Sequence, residues 1–229
     1  MSRISPGAAV LVLLAVGVMG GFVRDVGAQT PVEYSSEARF QLDLHVPDAA
    51  LAPFLPSGWI PNVAVQGPAK DANLRAVFID RLTINGPDGK PAGRTGSNRP
   101  VYLVAPVKEP GGSNVQLVIG GLTEDLADAP GPFGNYLLAT THSVQRTTTV
   151  AANAAGPAID TQDWSFAAAT GEHIEMHMKY ERGGGNRGAM PRNTSFYSAK
   201  TPTLASRSDC ASRASISLDS VRSRATASR

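Results

Sequence analysis

Apolar and polar residues alternate along most of the middle of this chain. In residues 37–46, Phe40, Leu42, Leu44 and Val46 share one parity, and Arg39, Gln41, Asp43 and His45 share the other. A period of two predicts a half-buried strand. Similar runs predict strands at 74–84, 100–107, 114–122, 136–146, 163–169 and 172–181. Pro110-Gly111-Gly112 joins the third and fourth of these runs as a hairpin, and Thr170-Gly171 joins the last two. Residues 48–55 predict a short helix with Asp48 as its N-cap, stopped by Pro56 and Gly58. No internal repeat is present. The expected fold class is mainly β (α+β): a curved, mostly antiparallel sheet or barrel with one or two short helices.

Composition fits that pattern. Gly and Pro together supply 40 of 229 residues, which suits many turns and short elements better than a helical bundle. One cysteine, Cys210, excludes a disulfide framework and a four-cysteine zinc site. The net charge of +2 is unevenly spread. Residues 1–28 contribute +1 and 203–229 contribute +3, leaving 14 basic and 16 acidic residues in 29–202, or −2. A slightly acidic body has no clustered cations for phosphate neutralisation, so nucleic acid is not an expected partner.

The two ends differ from this body. Arg3, an uncharged apolar run at 8–19 and Val26-Gly27-Ala28 have the order of a secretory signal peptide, with cleavage expected after Ala28. Without an Arg-Arg pair, the general secretory route is favoured, and the mature chain should have no stable membrane insertion. An uncleaved anchor is the alternative, since residues 4–23 carry no charge. A single domain is then expected over 29–202, in the secreted or periplasmic space. From Thr203 onward, 18 of 27 residues are Ser, Arg or Ala, with apolar residues too sparse to order the chain. Residues 203–229 read as a disordered basic tail or as codons translated out of frame. Cys210 lies in this tail, where an exposed and incidental thiol is expected.

The segment LAPFLPSGWIPN, 51–62, resembles the LP-x-G turn near the start of acetoacetate decarboxylase-like proteins. The order of later pieces is similar, with an apolar strand pair around 100–122 and a late hairpin at 168–183. The resemblance covers residues 37–200 in outline. It implies a barrel-like fold of that type around an apolar pocket, and a small apolar or carboxylate ligand. On this reading Phe54, Trp59, Phe78 and Met176 are candidates for the pocket wall. Arg81 is the candidate for fixing a carboxylate, although it shares a strand with Phe78 at opposite parity. Both face one cavity only if the strand bulges or Arg81 reaches round an edge. The alternative is a filled barrel with Arg81 on its surface.

The chemistry of that family is a Schiff-base lysine activated by an adjacent lysine and by desolvation. Lys70, Lys90, Lys108, Lys179 and Lys200 are the lysines here, and no two are neighbours. Lys70 precedes Asp71 and Lys108 precedes Glu109, and an adjacent carboxylate favours the charged ammonium. A non-catalytic binding relative is therefore expected. The alternative is an exported lyase or hydrolase using Arg81, Glu175 or a histidine.

Other patterns add little. His173-x-Glu175-x-His177 lies on one strand face, with the two histidines ~13 Å apart along a straight strand, so a solvated polar face is the simpler reading than a metal site. The Gly-x-Ser-x-Gly elbow of serine hydrolases is absent. Gly183-Gly184-Gly185 between Arg182 and Arg187 lacks phosphate-loop spacing and reads as a surface loop. No cofactor is expected.

Overall fold

A computed structural model of the chain describes residues 33–67, 69–93, 95–127, 135–150, 157–181, 186–188, 194–200, 205–208, 213–215 and 224–226. The expected signal peptide, the Gly183–Gly185 loop and Cys210 lie outside the described residues.

Seven long strands follow the alternating runs: β1 Tyr34–Leu44, β3 Leu74–Asn85, β4 Pro100–Lys108, β5 Asn114–Thr123, β6 Tyr136–Thr149, β7 Ile159–Ala168 and β8 His173–Glu181. Shorter pieces are β2 Ile60–Pro61, β9 Asn186–Gly188, β10 Thr194–Ser198, β11 Ala205–Ser208, β12 Arg213–Ser215 and β13 Arg224–Thr226. Three of these, β11, β12 and β13, lie within 203–229 and pair with β10, β9 and β8 respectively. The main sheet runs β1-β3-β4-β5-β6-β7-β8. It is a curled, mixed half-barrel. Most neighbours are antiparallel, but β5 pairs in parallel with β6 and with β10. Since β4 holds one edge of β5, the other edge is divided: Gly121–Thr123 take β6 and Gln116–Val118 take β10.

A short helix, α1, spans Asp48–Leu51. Asp48 is its first residue, not its N-cap; Pro47 holds the cap position, with no side-chain cap bond. The Asp48 carboxylate instead accepts from Asn73 Nδ2 at 3.2 Å. Pro53, which has no N–H to continue the ladder, stands in a 3-10 turn over Ala52–Phe54 that ends the helix. In the LPSGW turn, Gly58 takes φ +81°, a left-handed conformation that disfavours side chains with a Cβ.

The curl gives the sheet a concave face filled by its own side chains. Phe78 of β3 meets Trp164 of β7 edge-on at 5.6 Å, although these strands are not neighbours. Ala76, Val101, Leu122, Phe166, Met176 and Met178 belong to the same cluster, with Phe40, Leu42 and Leu44 of β1 packed against it. Each such Phe or Met, fully buried, contributes about 1.5–3 kcal/mol. A second cluster on the opposite face joins Val77, Ile79, Tyr102, Val104, Val118 and Tyr136. A third, at the α1 end, joins Leu51, Ala105, Val107, Val115 and Leu117.

Gly121 is where three strands crowd together. It pairs with Tyr102 on β4 and Tyr136 on β6, and these tyrosines meet edge-on at 6.4 Å. A Cβ there would lie 2.5 Å from the Val101 carbonyl oxygen and 2.9 Å from Tyr136 Cδ1. Gly121→Ala is expected to lower the unfolding free energy by about 1–3 kcal/mol, an overpacking cost measurable by urea titration. An unchanged midpoint would mean that the strands do not approach so closely.

Candidate functional site

Three β-bulges decide which side chains reach which face. The register places one extra residue at Leu82 in β3, Ile119 in β5 and Thr140 in β6. Before Thr140, Leu137 and Ala139 face the concave side. After it the parity flips, so His142, Val144, Arg146 and Thr148 stand opposite Phe166, Trp164, Gln162 and Asp160 of β7. The bulge therefore delivers a histidine and an arginine to the face that carries Trp164 and Phe166.

These groups form a charged chain across one end of the concave face. Asp80 on β3 has its Oδ2 3.2 Å from an Arg146 guanidinium nitrogen and its Oδ1 3.2 Å from Arg99 Nε. Arg99 also donates to Glu124 Oε1 at 3.2 Å. Glu124 Oε2 lies 3.4 Å from His142 Nε2, and the imidazole stacks on Phe166 at 6.2 Å. The order Arg146–Asp80–Arg99–Glu124–His142 thus links β3, β6, the entry to β4 and the exit of β5. Asp80 is buried, whereas both arginines keep about a third of their side-chain surface open to solvent.

Below this rim, a ladder of polar groups runs into the core. Thr148 Oγ1 donates to Asp160 at 2.6 Å. Tyr180 bonds to Asp160 and accepts from Gln162 Nε2 at 2.8 Å, and Trp164 Nε1 donates to Gln162 Oε1 at 3.1 Å. Burial, reinforced by Asp160, pushes the Tyr180 hydroxyl above the usual phenol range. It therefore remains a donor at neutral pH.

The residues expected from sequence fall in three places. Phe78 and Met176 come together on the concave face around Trp164. Trp59 packs elsewhere, in the third cluster, edge-on to Tyr197 at 5.4 Å. Phe54 is 53% exposed and stands apart from both groups. Arg81 stays on the side opposite Phe78, because the extra residue, Leu82, follows it. It is 0% exposed, and its guanidinium is taken by Glu33 and by Glu37, at 3.1 Å for the latter. Arg81 thus binds carboxylates of this chain and is not a surface residue. Phe78 and Trp164 are 2% exposed and Met176 is 3% exposed, so packed side chains occupy this part of the interior.

The five lysines are all exposed, Lys179 on the outer face of β8. None enjoys the desolvation that makes an amine a nucleophile at neutral pH. On that same outer face, His177 Nδ1 lies 2.8 Å from Asp163 on β7. Among the described residues, no three His, Cys, Asp or Glu side chains are grouped to hold a metal. Sequence reasoning missed Asp80, Arg99, Glu124, His142 and Arg146. The available signal was two arginines, two carboxylates and a histidine within or beside predicted strands.

No protein-family model matches the chain, and no curated protein matches it. Among solved structures, the chain is similar to MppR, an enduracididine biosynthesis enzyme complexed with the condensation product of pyruvate and imidazole 4-carboxaldehyde. The match has a TM-score of 0.50 at 13% identity, covering 98% of this chain and 79% of MppR. MppR is an enzyme of the acetoacetate decarboxylase-like fold, and at this identity the likeness is one of fold.

The Arg81 cluster yields a test of its own. Burial pushes the Glu37 carboxyl up, but Arg39, the Ser35 hydroxyl and Arg81 outweigh it and hold the group below its ordinary value of 4.5. A depressed carboxylate contributes stability above the unfolded-state value and loses it as pH falls through the folded one. Glu37→Gln is expected to cost ~3 kcal/mol at pH ~7, since it breaks a largely buried pair. The gap from wild type should narrow as pH drops below 4.5. A gap constant across that range would contradict the role assigned to the charge.

Proposed function

We propose that this is an exported binding protein for a small carboxylate, held at the charged rim of the half-barrel and not in an enclosed apolar cavity. The observation that carries the reading is the convergence of Arg99 and Arg146 on Asp80 at the open end of a concave apolar face. Each guanidinium has five N–H donors and spends only part of them on Asp80 and Glu124. The remaining donors face solvent and suit a planar carboxylate. Val144, partly buried between His142 and Arg146 along β6, offers apolar contact to the rest of the ligand. The exposed lysines favour binding over imine chemistry.

Titration calorimetry of the full chain with butyrate and succinate tests this. Arg99→Gln and Arg146→Gln should each weaken binding about 10-fold or more, because a charge-assisted hydrogen bond is worth about 1.5–3 kcal/mol. Undiminished binding in both variants would place the carboxylate elsewhere.

Export rests on the order of Arg3, the apolar run at 8–19 and Val26-Gly27-Ala28. N-terminal sequencing of protein recovered from the secreted or periplasmic fraction should begin at Gln29. A membrane-bound product that retains the first residues would instead support an anchor.

A further inference from the structure

We propose that the rim also hydrolyses a short carboxylate-bearing ester, with the Glu124–His142 pair activating water. This rests on the binding reading above and adds a reaction to it. Glu124 Oε2 faces His142 Nε2 at 3.4 Å, and Nδ1 has no partner among the described residues. A carboxylate against one ring nitrogen favours the tautomer with the proton there and leaves a lone pair on the other. The same division of labour operates wherever a carboxylate orients a histidine base. The present separation is long for a hydrogen bond, as catalytic contacts often are before a ligand tightens them.

Three further observations select the reaction. His142 is 42% exposed, so water reaches its ring. Its plane is held by stacking on Phe166, which is fully buried. No lysine lies on the concave face, and the Thr148 hydroxyl is committed to Asp160, so a water molecule is the available nucleophile. Arg99 and His142 share Glu124, one on each carboxylate oxygen, and a cation so placed would stabilise a developing oxyanion. Arg146, on the far side of Asp80, holds the ligand carboxylate.

The step balances without a co-reactant other than water. The water oxygen attacks the ester carbonyl carbon while His142 Nδ1 takes a water proton. The carbonyl π pair moves onto oxygen beside Arg99. Collapse of this tetrahedral species breaks the bond to the alkoxy group, which takes the proton back from the imidazolium and leaves as the alcohol. The products are an alcohol and a carboxylic acid, which releases its proton to solvent and becomes the second carboxylate of a dicarboxylate.

Monomethyl succinate is the probe for hydrolysis, followed by proton NMR of released methanol, and succinate is the probe for binding. Wild-type protein should turn over the ester. His142→Gln should lower kcat about 100-fold with KM unchanged, since general-base help is worth about 10²–10⁴-fold. Glu124→Gln should lower kcat similarly, and Arg146→Gln should raise KM with little effect on kcat. Thermal melts of each variant exclude unfolding as the cause. Succinate binding without methanol release, or release that survives His142→Gln, would overturn the hydrolytic proposal and leave the binding reading standing. Failure of wild type to bind succinate or butyrate would overturn the binding reading itself.

Discussion

The contact of Phe78 with Trp164 governs the rest of this molecule. These rings come from β3 and β7, with β4, β5 and β6 between them in the sheet. Side chains on strands so far apart in sheet order meet only if the sheet curls, and burying two large aromatic faces favours the curl. Once the rings touch, the next row follows. Asp80 lies two residues beyond Phe78 on the same face, and Arg146 is one row beyond the Val144–Trp164 pair. The ion pair between Asp80 and Arg146 therefore depends on the apolar contact beneath it. Alone, a partly exposed pair of this kind contributes about 0–1 kcal/mol, too little to bend a sheet.

The polar groups beside that contact explain why the core tolerates charge at its edge. Asp160 is almost wholly buried, which is costly for a carboxylate unless it is hydrogen-bonded. Thr148 and Tyr180 supply those bonds, and Gln162 links Tyr180 to the indole of Trp164. The chain of donors and acceptors thus runs from Thr148 on β6 to the ring that sets the curl. Fully satisfied networks of this sort rigidify what they connect.

The strands were legible because one buried face imposes period two, and seven expected runs match β1 and β3 through β8 closely. Both hairpins followed from turn chemistry between such runs. The candidate site was far less legible, for a specific reason. A bulge adds one residue and reverses every later side chain, yet Thr140 looks like any other threonine in a β-rich stretch. Without its position, His142 and Arg146 cannot be assigned to the concave face. Arg81 shows the converse: its parity opposite Phe78 was correct, but its partner Glu33 lies 48 residues away and comes from long-range pairing. The parallel β5–β10 contact is of the same kind, since no local pattern joins Val118 to Ser198.

The absence of lysine from the concave face changes what the shared fold can mean here. An imine-forming amine must be neutral, and burial is a main route to that state. Here the apolar interior is occupied by Phe78, Trp164, Phe166 and Met176, and every lysine is outside it. Filling the interior with packed rings stabilises the half-barrel and moves any ligand outward to the rim. The charged groups there are arginines, which cannot lose a proton at neutral pH. Arginine binds and orients anions but does not exchange protons, so proton transfer at this rim falls to a different side chain. Of the rim chain, the carboxylates Asp80 and Glu124 are engaged by the guanidinium groups of Arg99 and Arg146. His142, with one nitrogen against Glu124 and the other without a described partner, is the group placed to take up and release a proton.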